Sequence, residues 1–384
     1  MPATPVEQLP LGFVGPPAKA EDPAYYAQQL ITCIGNKRAL LGPIAAAVQH
    51  VKRRLGRDKL RLLDAFAGSG VVSRLFKAHA SRLVSNDLEA FAVAAARSHL
   101  ANHGGINVRE LDDVVEDVRS RLDSAAFEPG FIEELYAPRD ERHITADDRV
   151  FYTKRNARRL DNYRRLLTSI PESYAQLLMG PLLSEASVHA NTAGVFKGFY
   201  KDRRTGIGKF GGTHGDALKR ILGDIEVRAP ILSRYECDVE LYQEDANCLV
   251  HRLAGFDLVY FDPPYNQHPY GSNYFLLNLL VSYRRPTAIS RVSGIPEDWQ
   301  RSAYNVRSRS LPSLHDLIAS VDATFILLSF NDEGFVARRD ILRLLRQIGR
   351  VRTFEYEYNT FRGSRNLNNR STYVTEQLFL VERA

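Results

Sequence analysis

The stretch Asp257-Leu258-Val259-Tyr260-Phe261-Asp262-Pro263-Pro264-Tyr265 decides how this 384-residue chain is read. Leu258 to Phe261 are apolar and β-prone, the pattern of a parallel strand buried on both faces, so the polar cluster after them falls at its carboxyl end. Open α/β sheets place their ligand sites at that edge. Pro263 and Pro264 cannot continue the strand and fix two φ angles. They hold Asp262 and Tyr265 on a stiff turn and leave the Pro263 carbonyl as an acceptor. A carboxylate, an inward carbonyl and an aromatic face suit a planar amine, with two acceptors for the NH2 group and one ring to stack on. The plain alternative is a Pro-Pro turn with Tyr265 packed on its own domain. Average residue usage makes a chance Asp-Pro-Pro-Tyr a roughly one-in-several-hundred event for a chain of this length.

Leu60 to Phe66 reads as another buried strand, Ala67-Gly68-Ser69-Gly70 as a small-residue turn, and Val71 to His79 as the helix that follows. These make the first unit of a Rossmann-like fold, where glycine lets a ligand approach the backbone. Phe66-x-Gly68-x-Gly70 is neither the Gly-x-Gly-x-x-Gly of a dinucleotide site nor a phosphate loop, which needs Gly-Lys-Ser/Thr. Arg82 to Ser85 forms the next strand and ends in Asn86-Asp87-Leu88-Glu89. It sets Asp87 about twenty residues past the glycine turn, where a carboxylate can grip ribose hydroxyls. Capping the helix Glu89 to Leu100 is the other role open to Asp87. Gly35 and Asn36 precede a helical run through Leu40, Ile44, Val48 and Val51, which makes either an anion site with Lys37 as an added charge or a plain cap. Val239 to Tyr242 is a strand whose tip carries Asp245, suited to an adenine amine.

The rest of the chain bounds these readings. A formal charge of +6 with pI near 9.1 favours a polyanionic partner. Cys33, Cys237 and Cys248 are too few and too scattered for a disulfide framework or a zinc site and fit a reducing cytoplasm, and no apolar run is long enough to cross a bilayer. Residues 1–24 carry six prolines and read as a flexible arm. Residues 25–100 and 236–384 follow the strand and helix rhythm of a catalytic domain, interrupted by a highly charged, mainly helical insert over 101–235. Two stretches concentrate the basic excess. Residues 151–165 carry six cations, among them Arg158 and Arg159, against Asp161 alone. Residues 197–220 carry seven, including Lys197, Lys201, Arg203 and Arg204, against two carboxylates, with Phe196, Phe199, Tyr200 and Phe210 interleaved. Phosphate contacts and planar groups together suit a nucleic-acid surface, a solvated charged face being the other reading. Downstream, Asn273 to Tyr283 reads as helical, the chain to about Pro312 as loop, Ala323 to Phe330 as a strand, and Arg338 to Arg350 as a basic helix. Phe354 to Tyr358 and Tyr373 to Val381 read as a closing antiparallel pair, joined by a segment with Arg362 and Arg365.

With these residues placed, the chain resembles a Dam-type, alpha-group DNA adenine-N6 methyltransferase of the restriction-modification type. The order carries the likeness: Gly35-Asn36-Lys37, then Phe66 to Gly70, then Asp87, an inserted recognition region, and Asp262 to Tyr265 as the catalytic box. Asn36 and Ala67-Gly68-Ser69 depart from Dam itself. The resemblance implies a Rossmann-like S-adenosylmethionine-dependent sheet with a mainly helical target-recognition insert. It implies a catalytic set of Asp262, Pro263, Pro264 and Tyr265. The cofactor set would be Asn36, Lys37, Asp64, Phe66, Gly68, Gly70, Asp87, Asp245 and Asp262. Double-stranded DNA would meet Arg158, Arg159, Lys197, Lys201, Arg203, Arg204, Arg362 and Arg365, with the target adenine flipped out and a restriction endonuclease as a partner. An RNA adenine or the N4 amine of cytosine would need the same chemistry. A protein glutamine methyltransferase usually shows Asn-Pro-Pro-Tyr, and a silent binding module would not need Asp87, Asp245 and Asp262 together.

Overall fold

The computed structural model describes residues 21–124, 128–212, 215–359 and 373–384. Seven strands, β1 (Leu60–Asp64), β2 (Ala80–Asn86), β3 (Asp238–Tyr242), β4 (Phe256–Phe261), β5 (Ala323–Asn331), β6 (Gly349–Asn359) and β7 (Tyr373–Arg383), form one sheet. Their order is β3-β2-β1-β4-β5-β7-β6. The first five run parallel, and β7 is antiparallel to both β5 and β6. The order reverses between β1 and β4, so the sheet is Rossmann-like with its switch point at the two strands that carry the glycine turn and Asp262.

Every residue of β4 is buried, as expected for a central strand paired on both sides. Its two acids sit at opposite ends. Asp257, at the amino end, accepts from the Arg61 backbone N–H at 2.8 Å and pairs with the Arg57 and Arg61 guanidinium groups. That charge is locked into structure, whereas Asp262 emerges at the carboxyl edge. Because β7 runs antiparallel, its first residues arrive at this same edge, with Glu376 opposite Asn331.

Several expectations move by a few residues. The first helix, Pro23–Ala27, starts inside the proline-rich arm, where the Asp22 side chain caps it. The expected helix over 273–283 divides at Tyr274 into Tyr270–Asn273 and Phe275–Ser282. The stretch read as loop up to Pro312 contains the start of a helix, Arg307–Ser320, with Pro312 inside it. Leu314, Leu317 and Ile318 bury one face of that helix, and this packing outweighs the proline.

The region 101–235 enters between β2 and β3. It includes helices Val108–Ser124, Phe131–Tyr136, Lys154–Leu166 and Glu172–Val188. Its apolar residues share one cluster with Phe91 behind β2 and with Tyr274 to Leu280 behind β4. Residues 101–235 are therefore packed onto the sheet's flanking helices through a common core. Among the described residues, no helix is long and apolar enough to cross a membrane.

Candidate active site

The glycine turn begins where β1 ends. Gly68 and Gly70 take φ of +52° and +75°, the left-handed region in which a side chain would be strained. Asp87, at the tip of β2, turns back to it: one oxygen accepts from the Gly68 N–H at 2.7 Å and the other from the Glu89 N–H at 2.9 Å. The helix Ala90–His99 has Glu89 at its N-cap without a side-chain cap bond, so Asp87 braces the turn and is not the helix cap. Burial raises the Asp87 carboxyl above its ordinary range, with those N–H groups opposing. Asn86 clips three strand tips together. Its amide donates to the Ala65 and Glu244 carbonyls, each at 3.1 Å, and accepts from the Glu244 N–H.

A cleft of about 850 Å³ opens over these tips. Asn36, Lys37, Phe66, Gly68, Asp87, Asp245 and Asp262 all line it. Two residues of the expected cofactor set do not. Asp64 is fully buried beneath the turn, accepting from Ser73 Oγ at 2.6 Å, and burial pushes its carboxyl up to about 7. Gly70 begins the helix Val71–Lys77 and shapes the turn without facing the cleft. Several lining residues carried no sequence signal. Glu89, its carboxyl pushed up to about 7 by burial and by Asp87, accepts from Asn278 at 2.6 Å. Tyr304 meets the Phe66 ring edge-on at 5.5 Å. Gln300, Ser302 and Asn305 form the outer wall.

A smaller recess of about 330 Å³ adjoins the cleft, walled by Pro263, Pro264, Tyr265, Asn266, His268 and Tyr270. The two spaces share Ile34, Gly35, Lys37, Asp262, Pro264 and Tyr270. Tyr274 Oη accepts from the Ile34 N–H at 2.7 Å, and Tyr270 Oη donates to the Ile34 carbonyl, so two tyrosines clamp the segment before Gly35. Tyr265 packs against Phe330 at 5.7 Å between ring centroids.

Of the two roles the sequence left open at Gly35-Asn36, the cap is seen: the Asn36 side chain accepts from the Arg38 N–H at 2.8 Å, while Lys37 is paired with carboxylates. Its Nζ is buried, 3.0 Å from Asp262 Oδ1 and 3.1 Å from Glu376 Oε1. Burial works against the Lys37 charge, but the two carboxylates outweigh it and hold the pKa well above the ordinary lysine range. Burial also pushes Asp262 up to about 7, Lys37 opposing and Glu376 adding.

The two basic stretches part company. Arg159 is buried, ion-paired with Asp123 at 2.8 Å and donating to the Ile225 carbonyl, and Arg158 is paired with Glu133. Helix Lys154–Leu166 thus spends these charges on contacts within residues 101–235. In the second stretch Lys197, Arg203 and Arg204 are exposed and Lys201 half-buried, with no ion pair to any of them among the described residues. Phe196 and Phe199 are buried in the core, and among the described residues only Phe199 keeps contact with one of these cations, Lys201 Nζ lying 5.1 Å from its ring centroid. The segment is anchored near the site: the Phe196 N–H donates to the Asn273 carbonyl at 2.7 Å, and Ser293 Oγ to the Lys197 carbonyl at 2.8 Å. Arg362 and Arg365 lie outside the described residues.

A Rossmann-like sheet with paired pockets meeting at an Asp-Pro-Pro-Tyr edge defines a group-transfer enzyme of the methyltransferase class. The chain belongs to the D12 class N6 adenine-specific DNA methyltransferase family, which matches residues 34–290. It is similar to the type II methyltransferase M.NlaIII of Neisseria lactamica, 26% identical over 358 residues that cover 91% of this chain and 98% of that one. It is 28% identical over 367 residues to the modification methylase StsI of Streptococcus sanguinis, covering 91% of this chain and 51% of the relative. M.CviAII of Paramecium bursaria Chlorella virus 1 is 26% identical over 339 residues, covering 87% and 93%. The family's activity, methylation of the N6 amine of adenine in DNA, is the activity of this chain.

Proposed function

We propose that the methyl donor is S-adenosylmethionine, bound in the larger cleft, and that a flipped-out adenine enters the recess beside it. The observation that carries this reading is the shared wall, Asp262 with Lys37 and Gly35, between two spaces of different size. The lining of the larger cleft suits the cofactor in parts: Asp87 beside the left-handed Gly68 for ribose hydroxyls, Asp245 for the adenine amine, and Phe66 for an apolar face. The cofactor would supply an electrophilic methyl group.

The chain's own residues do the remaining work. An adenine inside a duplex cannot reach a buried site, and extruding it costs about a few kcal/mol. Stacking on Tyr265 recovers part of that cost. The amine lone pair is delocalised into the ring, and acceptance of its hydrogens by Asp262 and the Pro263 carbonyl bends the nitrogen toward a tetrahedral nucleophile. Placement and fixed electrostatics then set the rate. Lys197, Lys201, Arg203 and Arg204 are the cations proposed to meet DNA phosphates. A restriction endonuclease with the same recognition sequence is the proposed cellular partner, in the cytoplasm. Asp262→Ala is expected to lower methyl transfer about a hundred- to a thousand-fold, while calorimetry shows cofactor affinity largely kept. Parental turnover in this variant would remove the assignment.

A further inference from the structure

We propose that Glu376, a residue of β7 far from the Asp-Pro-Pro-Tyr turn in sequence, is a positioning residue for the transfer: at the carboxyl edge of the sheet it shares the Lys37 ammonium with Asp262 and sets how much of that cation Asp262 holds. The proposal rests on the reading of Asp262 as the acceptor of the target amine. Glu376 is fully buried, and its Oε1 accepts from Ser329 Oγ of β5 at 2.6 Å while lying 3.1 Å from Lys37 Nζ. Lys37 in turn reaches Asp262 at 3.0 Å and the Gly35 carbonyl at 3.2 Å. A buried carboxylate is retained only where it is paired and hydrogen-bonded, and Lys37, among the partners of Glu376, reaches the reacting edge.

The arrangement has a consequence beyond packing. Two carboxylates share one ammonium, so the group carries a net negative charge when all three are ionised. A single Lys37–Asp262 pair would be neutral and would leave Asp262 a weaker acceptor, drawn toward the lysine. Glu376 draws the ammonium the other way and keeps part of the Asp262 charge available at the recess. The groups facing this cluster are the Tyr265 ring, 5.8 Å from Lys37 Nζ, with Tyr260 on β4, Tyr270 from the following helix and the buried Asp64 carboxyl of β1. The three tyrosines are neutral at ordinary pH, and Asp64 is common to parent and variants, so none of them replaces the Glu376 charge.

The test compares Glu376→Gln and Glu376→Asp with the parent in full-length protein, using tritiated S-adenosylmethionine and duplex DNA that the parent methylates. Glu376→Gln keeps an acceptor for Ser329 and removes only the charge. The expected result is a fall in kcat of roughly tenfold and a shift of the acid limb of the kcat profile to lower pH by roughly one unit, because a negative neighbour of Asp262 is gone. KM for DNA and cofactor affinity stay at the parental values. Glu376→Asp keeps the charge, so its acid limb should lie at the parental pH even where kcat falls. Parental kcat and pH profile in Glu376→Gln, or an acid limb equally displaced in both variants, would overturn the proposal. If Glu376→Gln does not fold, an acid limb displaced in Glu376→Asp overturns it alone. Asp262→Ala is the control: its inactivity beside an unaffected Glu376→Gln rejects this inference only, whereas its full activity rejects the site reading beneath both.

Discussion

Lys37 Nζ lies 3.0 Å from Asp262 Oδ1, so the two ends of the motif order meet in one ion pair at the switch point of the sheet. The segment before Gly35, clamped by Tyr270 and Tyr274, thereby becomes part of the wall between the two pockets.

Removing that cation should move the pH dependence in a defined direction. Lys37 opposes the rise of the Asp262 pKa, which stands at about 7. In Lys37→Ala the carboxyl takes up a proton at higher pH, so the acid limb of kcat should move upward, opposite to the shift expected for Glu376→Gln. At pH 7 the rate should fall about fivefold or more, since raising a pKa of about 7 by one unit takes the ionised carboxylate from about a half to about a tenth. A steady-state profile from pH 6 to 9 measures this, and a downward or absent shift would separate Lys37 from Asp262.

Tyr265→Phe should keep most activity and Tyr265→Ala should not, because stacking uses the ring and not the hydroxyl. Base stacking on an aromatic is worth roughly 1–3 kcal/mol, about a five- to hundredfold effect on DNA-dependent kcat/KM. Equal losses in both variants would give the hydroxyl the leading part.

The two basic stretches should respond differently. Neutralising Lys197, Lys201, Arg203 and Arg204 together should weaken DNA binding and flatten its dependence on salt, by roughly 0.9 in log–log slope for each phosphate that no longer meets a cation. Arg159→Ala should instead destabilise the fold, by roughly 1–3 kcal/mol, because the buried Ile225 carbonyl loses its donor. Fluorescence anisotropy across salt concentrations and denaturant unfolding separate the two effects. A quadruple variant with the parent's affinity and salt slope would make the 197–204 segment a solvated face.

Much of this frame is legible in the sequence because the signals are local. Leu60 to Phe66 and Leu258 to Phe261 are short apolar runs ended by glycine or proline, and the turn chemistry after each points to one sheet edge. What the sequence conceals depends on the meeting of distant segments. Nothing near Glu376 marks it as facing Lys37, since that meeting follows from β7 running antiparallel beside β5. Arg159 looks like the other cations in a run of charges, and only the helix phase and the reach to Asp123 and Ile225 turn it inward. Phe196 and Phe199 show the converse, rings among cations that pack into the core because burying them releases more free energy than displaying them.

Asp64 offers a test of stability. Its folded carboxyl titrates near 7, above the ordinary 3.8, so the folded state binds the extra proton between those values and the parent loses stability as pH rises through that window. Asp64→Asn carries no such proton. The variant should therefore gain on the parent from pH 5 to pH 8 by roughly 2.5 kcal/mol. Urea unfolding at the two pH values measures the difference, and a constant gap would mean that Asp64 is already ionised at pH 5.

The most direct measurement expresses the protein in a host free of DNA methylation and maps modified bases across its genome. The expected result is N6-methyladenine confined to one short recognition sequence, lost with Asp262→Ala. Methylation found only on cytosine or only on RNA, or no methylated base from a folded protein that binds S-adenosylmethionine, would contradict the assignment.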